Sequence, residues 1–277
     1  MLKQRVITAL VLAAVLLGTL FAPSPWPFAA FTLLLIAGAA WEWGRLNGAG
    51  GLSLVLAVAL VGVCAVALAL GWGNAAPGAL WWAALLLWAL GGAWALRNGV
   101  GAWTTHPQAL RWLLGIVLLG LAWLAIVNAR AVGVNFLLSI CCIVWMADIA
   151  AYFGGRAWGK RKLAPAISPG KSWEGVWSGM LGVLLLAFAW LMVERAYSFE
   201  SASLFAHLLA RLGAVGMVLV VVFLVALSVV GDLFESLIKR SAGAKDSSQL
   251  LPGHGGVLDR FDALLPVLPV ALAFSSL

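Results

Sequence analysis

Long apolar segments, separated by polar connections, are the feature that most limits what this chain can fold into. Such runs occur nine times, at about 6–22, 27–42, 52–72, 79–96, 112–129, 131–150, 173–193, 212–230 and 261–277. An α-helix that crosses a bilayer needs roughly 20 apolar residues, with a lower limit of about 17. Only 10% of the 277 residues are charged and 64% are hydrophobic, too few polar groups to cover a water-soluble domain. The sequence therefore predicts one all-α domain over 1–277, a polytopic transmembrane helix bundle with about nine spans.

The distribution of cations predicts the orientation of these spans. With a cytoplasmic N-terminus, fourteen Lys and Arg residues lie in cytoplasmic segments, and only Arg130, Arg195 and Arg211 lie outside. Basic residues concentrate on the cytoplasmic side of membrane proteins. We therefore expect a cytoplasmic N-terminus and a location in the inner membrane. The first run resembles a signal peptide, but Pro23 follows the only plausible cleavage position, so we interpret it as a retained span.

Polar residues change in character at about residue 148. Residues 1–147 form spans joined by short loops, whereas 148–277 contain two long cytoplasmic loops, at 151–172 and 231–260. We expect the second part to be the catalytic half. The net charge of +7 is largely explained by membrane orientation, and we expect membrane lipids but no nucleic acid as partners.

The first long loop is cationic. Between residues 151 and 172 it holds five Lys and Arg and no acid, and Asp148 comes directly before it. A carboxylate near the membrane is costly and normally has a partner or a role. Arg156 and Lys171 stand beside glycines, whose flexible backbone can bring N–H groups to phosphate oxygens. A solvated loop that only sets topology is the competing interpretation, and for 160–162 the two are evenly matched.

The second long loop is rich in acids. Five of the ten Asp and Glu residues lie between 232 and 262, and two pairs, Asp232 with Glu235 and Asp259 with Asp262, have helical spacing. Like charges this close favour a cation between them, and carboxylate ligands favour a hard ion such as magnesium. Salt bridges to neighbouring cations are the alternative, which we prefer for Glu235 and Asp246. His254 lies between glycines, where we expect a loop-shaping or phosphate-contacting role.

Together the two loops place cations and carboxylates on one side of the membrane. Phosphoryl-type chemistry uses this combination, because carboxylates hold a divalent metal and Lys or Arg neutralise the remaining phosphate charge. The apolar surroundings indicate that one substrate is a lipid. Two alternatives stay open: a CTP-dependent kinase of a lipid alcohol and, more remotely, a transporter of an anionic solute.

A specific resemblance covers roughly the C-terminal half. Residues 236–262 read Ser-x-Ile-Lys-Arg-x4-Lys-Asp-x-Ser-x2-Leu-Pro-x-His-Gly-Gly-Val-x-Asp-Arg-Phe-Asp. This 27-residue pattern resembles the signature of the phosphatidate cytidylyltransferases, also called CDP-diacylglycerol synthases, and residues 148–175 and 231–236 are similar to that family as well. For residues 1–140 only the hydropathy profile is compatible.

The resemblance implies that CTP and phosphatidic acid react to give CDP-diacylglycerol and pyrophosphate in phospholipid biosynthesis. It implies dependence on Mg²⁺, with K⁺ as a further option, and it places metal-binding aspartates at Asp232 and Asp259, with Asp262 close by. The oligomeric state is open, and a homodimer is one option. We assign Arg156, Lys171 and Lys245 to the nucleotide phosphates, with Lys245 also among the catalytic residues. Arg240 or Arg260 would bind the lipid head group, and Asp148 and Tyr152 would orient the nucleotide or a basic partner.

Overall fold

The computed structural model describes residues 2–277, with side chains from residue 6 onward, as a bundle of helices. The N-terminal part contains α1 (Leu2–Leu20), α2 (Trp26–Leu46), α3 (Ser53–Ala69), α4 (Gly78–Leu86), α5 (Ala93–Trp103) and α6 (Gln108–Val132). A 3₁₀ turn at Gly50–Leu52 precedes α3, and a π-helical segment at Leu87–Gly92 joins α4 to α5. The C-terminal part contains α7 (Val134–Trp158), β1 (Lys162–Ala164), β2 (Ser168–Ser172), α8 (Trp173–Ala196), α9 (Leu204–Ser241), α10 (Leu258–Phe261) and α11 (Leu264–Ser275).

The helices confirm the expected membrane bundle. Seven helical segments of the described chain are long and apolar enough to cross a bilayer: α2, the 3₁₀ turn with α3, α4 through α5, α6, α7, α8 and α9. The apolar segment Val6–Leu20 of α1 is shorter than these seven. The last helix, α11, has 12 residues, fewer than a crossing needs, and Leu264 to Ala273 are all buried. The protein is therefore a multi-pass membrane protein whose last helix lies inside the bundle.

Hydrogen bonds between connections divide the bundle into two ends. At one end Arg130 Nε donates to Leu20 O, and Asn128 Nδ2 donates to Trp72 O. At the other end Trp103 Nε1 donates to Asn47 Oδ1 and Ser241 Oγ to Val100 O. We call this second end, which contains the connections 47–49, 104–107, 159–172 and 242–257, the charged end.

Helices α7 and α9 continue beyond their apolar segments at the charged end. The expected loop 151–172 is helical up to Trp158, and the expected loop 231–260 is helical up to Ser241. Asp148 and Asp232 thus lie on rigid helices, and only 159–172 and 242–257 form the connections. Side chains on helices are held in more defined positions than side chains on loops.

Two packing features fix this part of the bundle. Phe234 of α9 packs against Trp43, Trp88 and Trp103, with ring centroids 5.4–6.2 Å apart. On the opposite side α7 and α8 meet backbone to backbone, because a Cβ built on Gly179 would lie 3.0 Å from the Ala147 carbonyl oxygen. Small residues at such contacts are typical of helices that associate within membranes. This close contact brings the start of α8 against the charged end of α7.

Candidate active site

A cavity of about 490 Å³ opens between α7, α8 and α9 at the charged end. Asp148, Arg156, Lys171 and Asp232 all line it, which confirms that the two polar segments predicted from the sequence meet. Lys171 Nζ forms an ion pair with an Asp232 carboxylate oxygen, and about a quarter of each side chain remains exposed. The pair therefore stands where a ligand in the cavity can reach it.

A short hairpin places Lys171 in this cavity. Strands β1 and β2 pair antiparallel, and β2 leads directly into α8, where the Ser172 side chain accepts a hydrogen bond from Gly175 N. The Glu174 carboxylate, in the first turn of α8, accepts hydrogen bonds from the backbone of Lys160 and Arg161. Caps of this kind stabilise a helix start and bind the preceding chain to it. The hairpin is therefore fixed to the start of α8, and Lys160 contributes to this contact through its main chain.

Asp262 lies close to Asp232. The two meet because Gly231 packs against the Asp262 main chain, so that a Cβ on Gly231 would be 2.5 Å from the carbonyl oxygen. Burial raises the pKa of Asp262, and the negative charge of Asp232 contributes to this increase. Two carboxylates that lie this close together and are partly buried repel each other when both are ionised. A bound cation is therefore favourable at this position, because it compensates their charge.

A second cluster lies further along α9 and is more deeply buried. Lys239 Nζ is 2.5 Å from Glu235 Oε2 and 2.6 Å from Asp259 Oδ1. The ion pair expected for Glu235 is therefore confirmed. Asp259 also accepts hydrogen bonds from Ser247 Oγ at 2.9 Å and from Gly256 N at 2.8 Å. Burial tends to raise the pKa of Asp259, but the bonds from Lys239 and Gly256 outweigh it and lower the pKa to about 2.

The carboxylates fit a magnesium ion in part. Within the described chain, no group of three acidic, His or Cys side chains converges as a ready metal site. Mg²⁺ does not require one, since it is usually bound through one or two carboxylates, with water and substrate phosphates completing its coordination. Asp232 and Asp262 fit that mode. Asp259 fits it less directly, because its oxygens already accept from the three donors named above.

Lys245 does not join Lys171. It lines a separate polar cavity of about 580 Å³ at the charged end, together with Arg45, Asp246 and Ser247. The reason is that the connection 242–257 folds over the end of α2, whereas Lys171 faces α7 and α9. The structure thus brings together two of the three cations expected at the nucleotide phosphates, Arg156 and Lys171.

The remaining predicted residues shape the connections. Arg240 Nε donates to Ile167 O, and its Nη1 donates to Ala244 O, so it joins the two connections to each other. Arg260 donates to the main-chain oxygen of His254 and reaches the rim of an apolar cavity of about 470 Å³ between α1, α2, α7 and α11. His254 itself lies in a tight turn, with its N–H donating to Leu251 O. The loop-shaping interpretation of His254 agrees with this turn.

Glu42 of α2 is a site residue that the sequence reasoning missed. It is fully buried, and its carboxylate accepts hydrogen bonds from the second connection, including Val257 N at 2.9 Å and Leu258 N at 2.6 Å. An acid inside the apolar run 27–42 was a usable signal, because such a residue normally has a partner. Its partner, more than 200 residues away, could not be read from spacing.

Comparison with known proteins identifies the family of this chain. A family model described as "Cytidylyltransferase family" matches residues 3–277. A phosphatidate cytidylyltransferase of Pseudomonas aeruginosa is 41% identical over 99% of this chain and 96% of its own length, and one of Haemophilus influenzae is 36% identical over 97% and 96%. One of Bacillus subtilis is 37% identical over 51% of this chain and 48% of its own length. The chain belongs to the cytidylyltransferase family.

Proposed function

We propose that this protein transfers the cytidylyl group of CTP to phosphatidic acid and releases pyrophosphate. The observation that carries the proposal is the accessible Lys171–Asp232 pair in a cavity at the charged end of a membrane bundle. The relatives that match nearly their whole length to this chain are named for this activity, which supports the same reaction here. The product is CDP-diacylglycerol, a precursor for phospholipid biosynthesis.

The chemistry requires positioning more than proton transfer. A phosphatidate oxygen attacks the α-phosphorus of CTP, the new P–O bond forms, and the bond to the β-phosphate oxygen breaks as pyrophosphate leaves. The nucleophile is already an anion, so no strong general base is needed. Lys171 and Arg156 neutralise phosphate charge, and the helices hold the two substrates in line. Asp148, which lines the same cavity, orients the nucleotide or a basic neighbour.

Magnesium would be held by Asp232 and Asp262, with Asp259 as a further ligand when Lys239 yields its place. When bound, the ion would neutralise negative charge on the phosphate oxygens. Lys171, which contacts Asp232 in the structure, lies where it can bind a phosphate oxygen of the nucleotide. A monovalent ion such as K⁺ remains part of the proposal without assigned ligands.

Exposed aromatic side chains support a lipid substrate at the level of the head groups. Tyr152, Phe153 and Trp158 on α7 and Trp173 and Trp177 on α8 are all exposed around the cavity end of these helices. Aromatic rings concentrate at membrane–water interfaces. The cavity therefore opens near the level at which a phosphatidate head group lies.

The proposed topology has a cytoplasmic N-terminus and nine membrane-embedded helical segments, of which α11 extends only part of the way. Fourteen of the 17 cations then face the cytoplasm, and the hydrogen bonds between connections agree with strict alternation. The active site faces the cytoplasm of the inner membrane, where CTP is available. Light scattering of the purified protein in detergent decides between a monomer and the proposed homodimer.

The test uses purified protein with phosphatidate, Mg²⁺ and CTP labelled at either the α or the γ position. We expect the α label to enter the lipid and the γ label to appear in pyrophosphate. Transfer of the γ label to a lipid alcohol would instead identify a kinase. Flux of an anionic solute through liposomes without any CDP-diacylglycerol formation would favour the transporter.

A further inference from the structure

Glu42 is the most completely enclosed carboxylate of the charged end. Its side chain is 0% exposed, and the donors around it all come from residues 247–258. Ser248 Oγ donates to Oε1, Ser247 Oγ lies 3.1 Å from Oε2, and the main-chain N–H groups of Val257 and Leu258 donate to the two oxygens. A buried carboxylate is tolerated only with such compensation. One side chain on α2 thus holds the middle of the second connection and its C-terminal end.

This network continues to Asp259. Ser247 Oγ lies 2.9 Å from Asp259 Oδ2 as well as 3.1 Å from Glu42 Oε2. A hydroxyl has one proton, so it donates to one carboxylate at a time. When a cation takes the lone pairs of Asp259, the Ser247 proton retains an acceptor in Glu42. The serine therefore couples a fixed carboxylate on α2 to one that the proposed reaction uses.

The glycine pair after His254 makes the network possible. Gly255 has a φ of +82°, a conformation that side-chain-bearing residues rarely adopt. Gly256 has no space for a side chain, because its Cβ would overlap Ser247 Oγ and Glu42 Oε1. The main chain at Gly255 therefore lies against Asp259, and the main chain at Gly256 lies against Glu42 and Ser247.

We propose that Glu42 is a positioning residue for the cytidylyl transfer, acting through Ser247 on Asp259 without touching substrate. The proposal rests on the function proposed above. It assigns a role in the site to the N-terminal part of the chain, for which the sequence indicated only hydropathy. Groups that orient metal ligands from outside typically change metal affinity or activity roughly 10–100-fold when removed.

Glu194 provides a matched control at the opposite end of the bundle. Its carboxylate also accepts from a serine and from main chain, namely from Ser203 Oγ and from Ser203 N at 2.7 Å. It also accepts from Asn135 Nδ2 at 3.2 Å. Glu194→Gln therefore removes a comparable carboxylate without touching the charged end.

The experiment compares wild type, Glu42→Gln, Ser247→Ala and Glu194→Gln as full-length protein in detergent. The first readout is the Mg²⁺ concentration for half-maximal turnover, which we expect to rise roughly 10–100-fold in Glu42→Gln and less in Ser247→Ala. The second, taken without substrates, is the rate of tryptic cleavage between residues 240 and 260, which we expect to increase severalfold in Glu42→Gln only. Glu194→Gln should leave both readouts unchanged while lowering thermal stability.

Equal cleavage and equal Mg²⁺ dependence in Glu42→Gln and wild type would overturn the proposal. A Glu42→Gln protein that fails to fold leaves the decision to Ser247→Ala, where an unchanged Mg²⁺ dependence would overturn the link to Asp259. A wild-type protein that forms no CDP-diacylglycerol would overturn the proposed function instead, whereas the cleavage rates would still report whether Glu42 holds the connection.

Discussion

Two lysine–carboxylate clusters lie along the same helix, α9, and they differ in their access to solvent. In the first, Lys171 and Asp232 keep 26% and 27% of their side-chain surface exposed. In the second, Lys239 keeps 13%, Glu235 2% and Asp259 11%. The first is an accessible pair in a cavity, and the second is nearly sealed among the helices and the second connection.

This difference in solvent exposure indicates different roles for the two clusters. An exposed pair gains little from its attraction because water competes, so its ammonium can be exchanged for a ligand at small cost. A buried pair contributes little net stability, because the cost of removing both charges from water offsets their attraction. The loss of one partner, however, leaves an uncompensated charge in the protein interior. We therefore expect the Lys171–Asp232 pair to exchange partners during the reaction, and Lys239 with Glu235 to hold Asp259 in position.

Removing the buried ammonium should have the largest effect. Lys239→Met leaves two carboxylates facing each other, and we expect the free energy of unfolding to fall by about 3–5 kcal/mol. The measurement is an SDS titration in mixed micelles followed by circular dichroism. Lys171→Met is the matched control and should cost less than Lys239→Met, because water reaches the Asp232 carboxylate that it leaves. Equal losses in the two variants would remove the distinction between the clusters.

Asp232→Asn should act on turnover and spare the fold. Loss of the carboxylate removes a proposed metal ligand and electrostatic contact worth several kcal/mol in the transition state, so turnover should fall at least about 100-fold. Formation of labelled CDP-diacylglycerol measures it, with far-UV circular dichroism as the check on folding. Near-normal turnover at low Mg²⁺ would contradict the assignment.

Low pH should reduce the stability that Asp259 contributes to the Lys239 cluster. The pKa of Asp259 is about 2 in the folded protein and near 3.8 when the group is free, so its stabilisation is complete above about pH 4. It is lost as the pH falls from about 4 through 2 and amounts to about 2 kcal/mol. The thermal midpoints of wild type and Asp259→Asn, measured from pH 6 to pH 2, should therefore converge towards the acidic end. A constant difference over that range would contradict this account.

Lys160→Ala should have the smallest effect. Lys160 contributes its main-chain N–H to Glu174, a contact that alanine keeps, and its side chain is exposed. We expect changes within about 0.5 kcal/mol in stability and less than about threefold in turnover. A much larger loss of turnover at low phosphatidate would show that this cation captures the lipid.

The sequence predicted the helices well because apolar periodicity is local. It could not predict that 264–275 forms a buried helix of 12 residues within an apolar run of 17, since lipid and protein interior select the same side chains. The sequence correctly predicted that Asp148, Lys171 and Asp232 lie in one site, because the cationic and the acidic segments were expected on the same side of the membrane. It placed Lys245 with Lys171, although the fold of the second connection separates them, and it missed Glu42, whose contacts are remote in sequence.

The side chain of Arg240 links the two connections of the charged end. One planar guanidinium binds the carbonyl of Ile167 in the first connection and that of Ala244 in the second. Because Arg240 lies in the last turn of α9, both connections are attached to the same helix end. The segment before α8 and the segment after α9 therefore share one anchor, and loss of this guanidinium should loosen both of them.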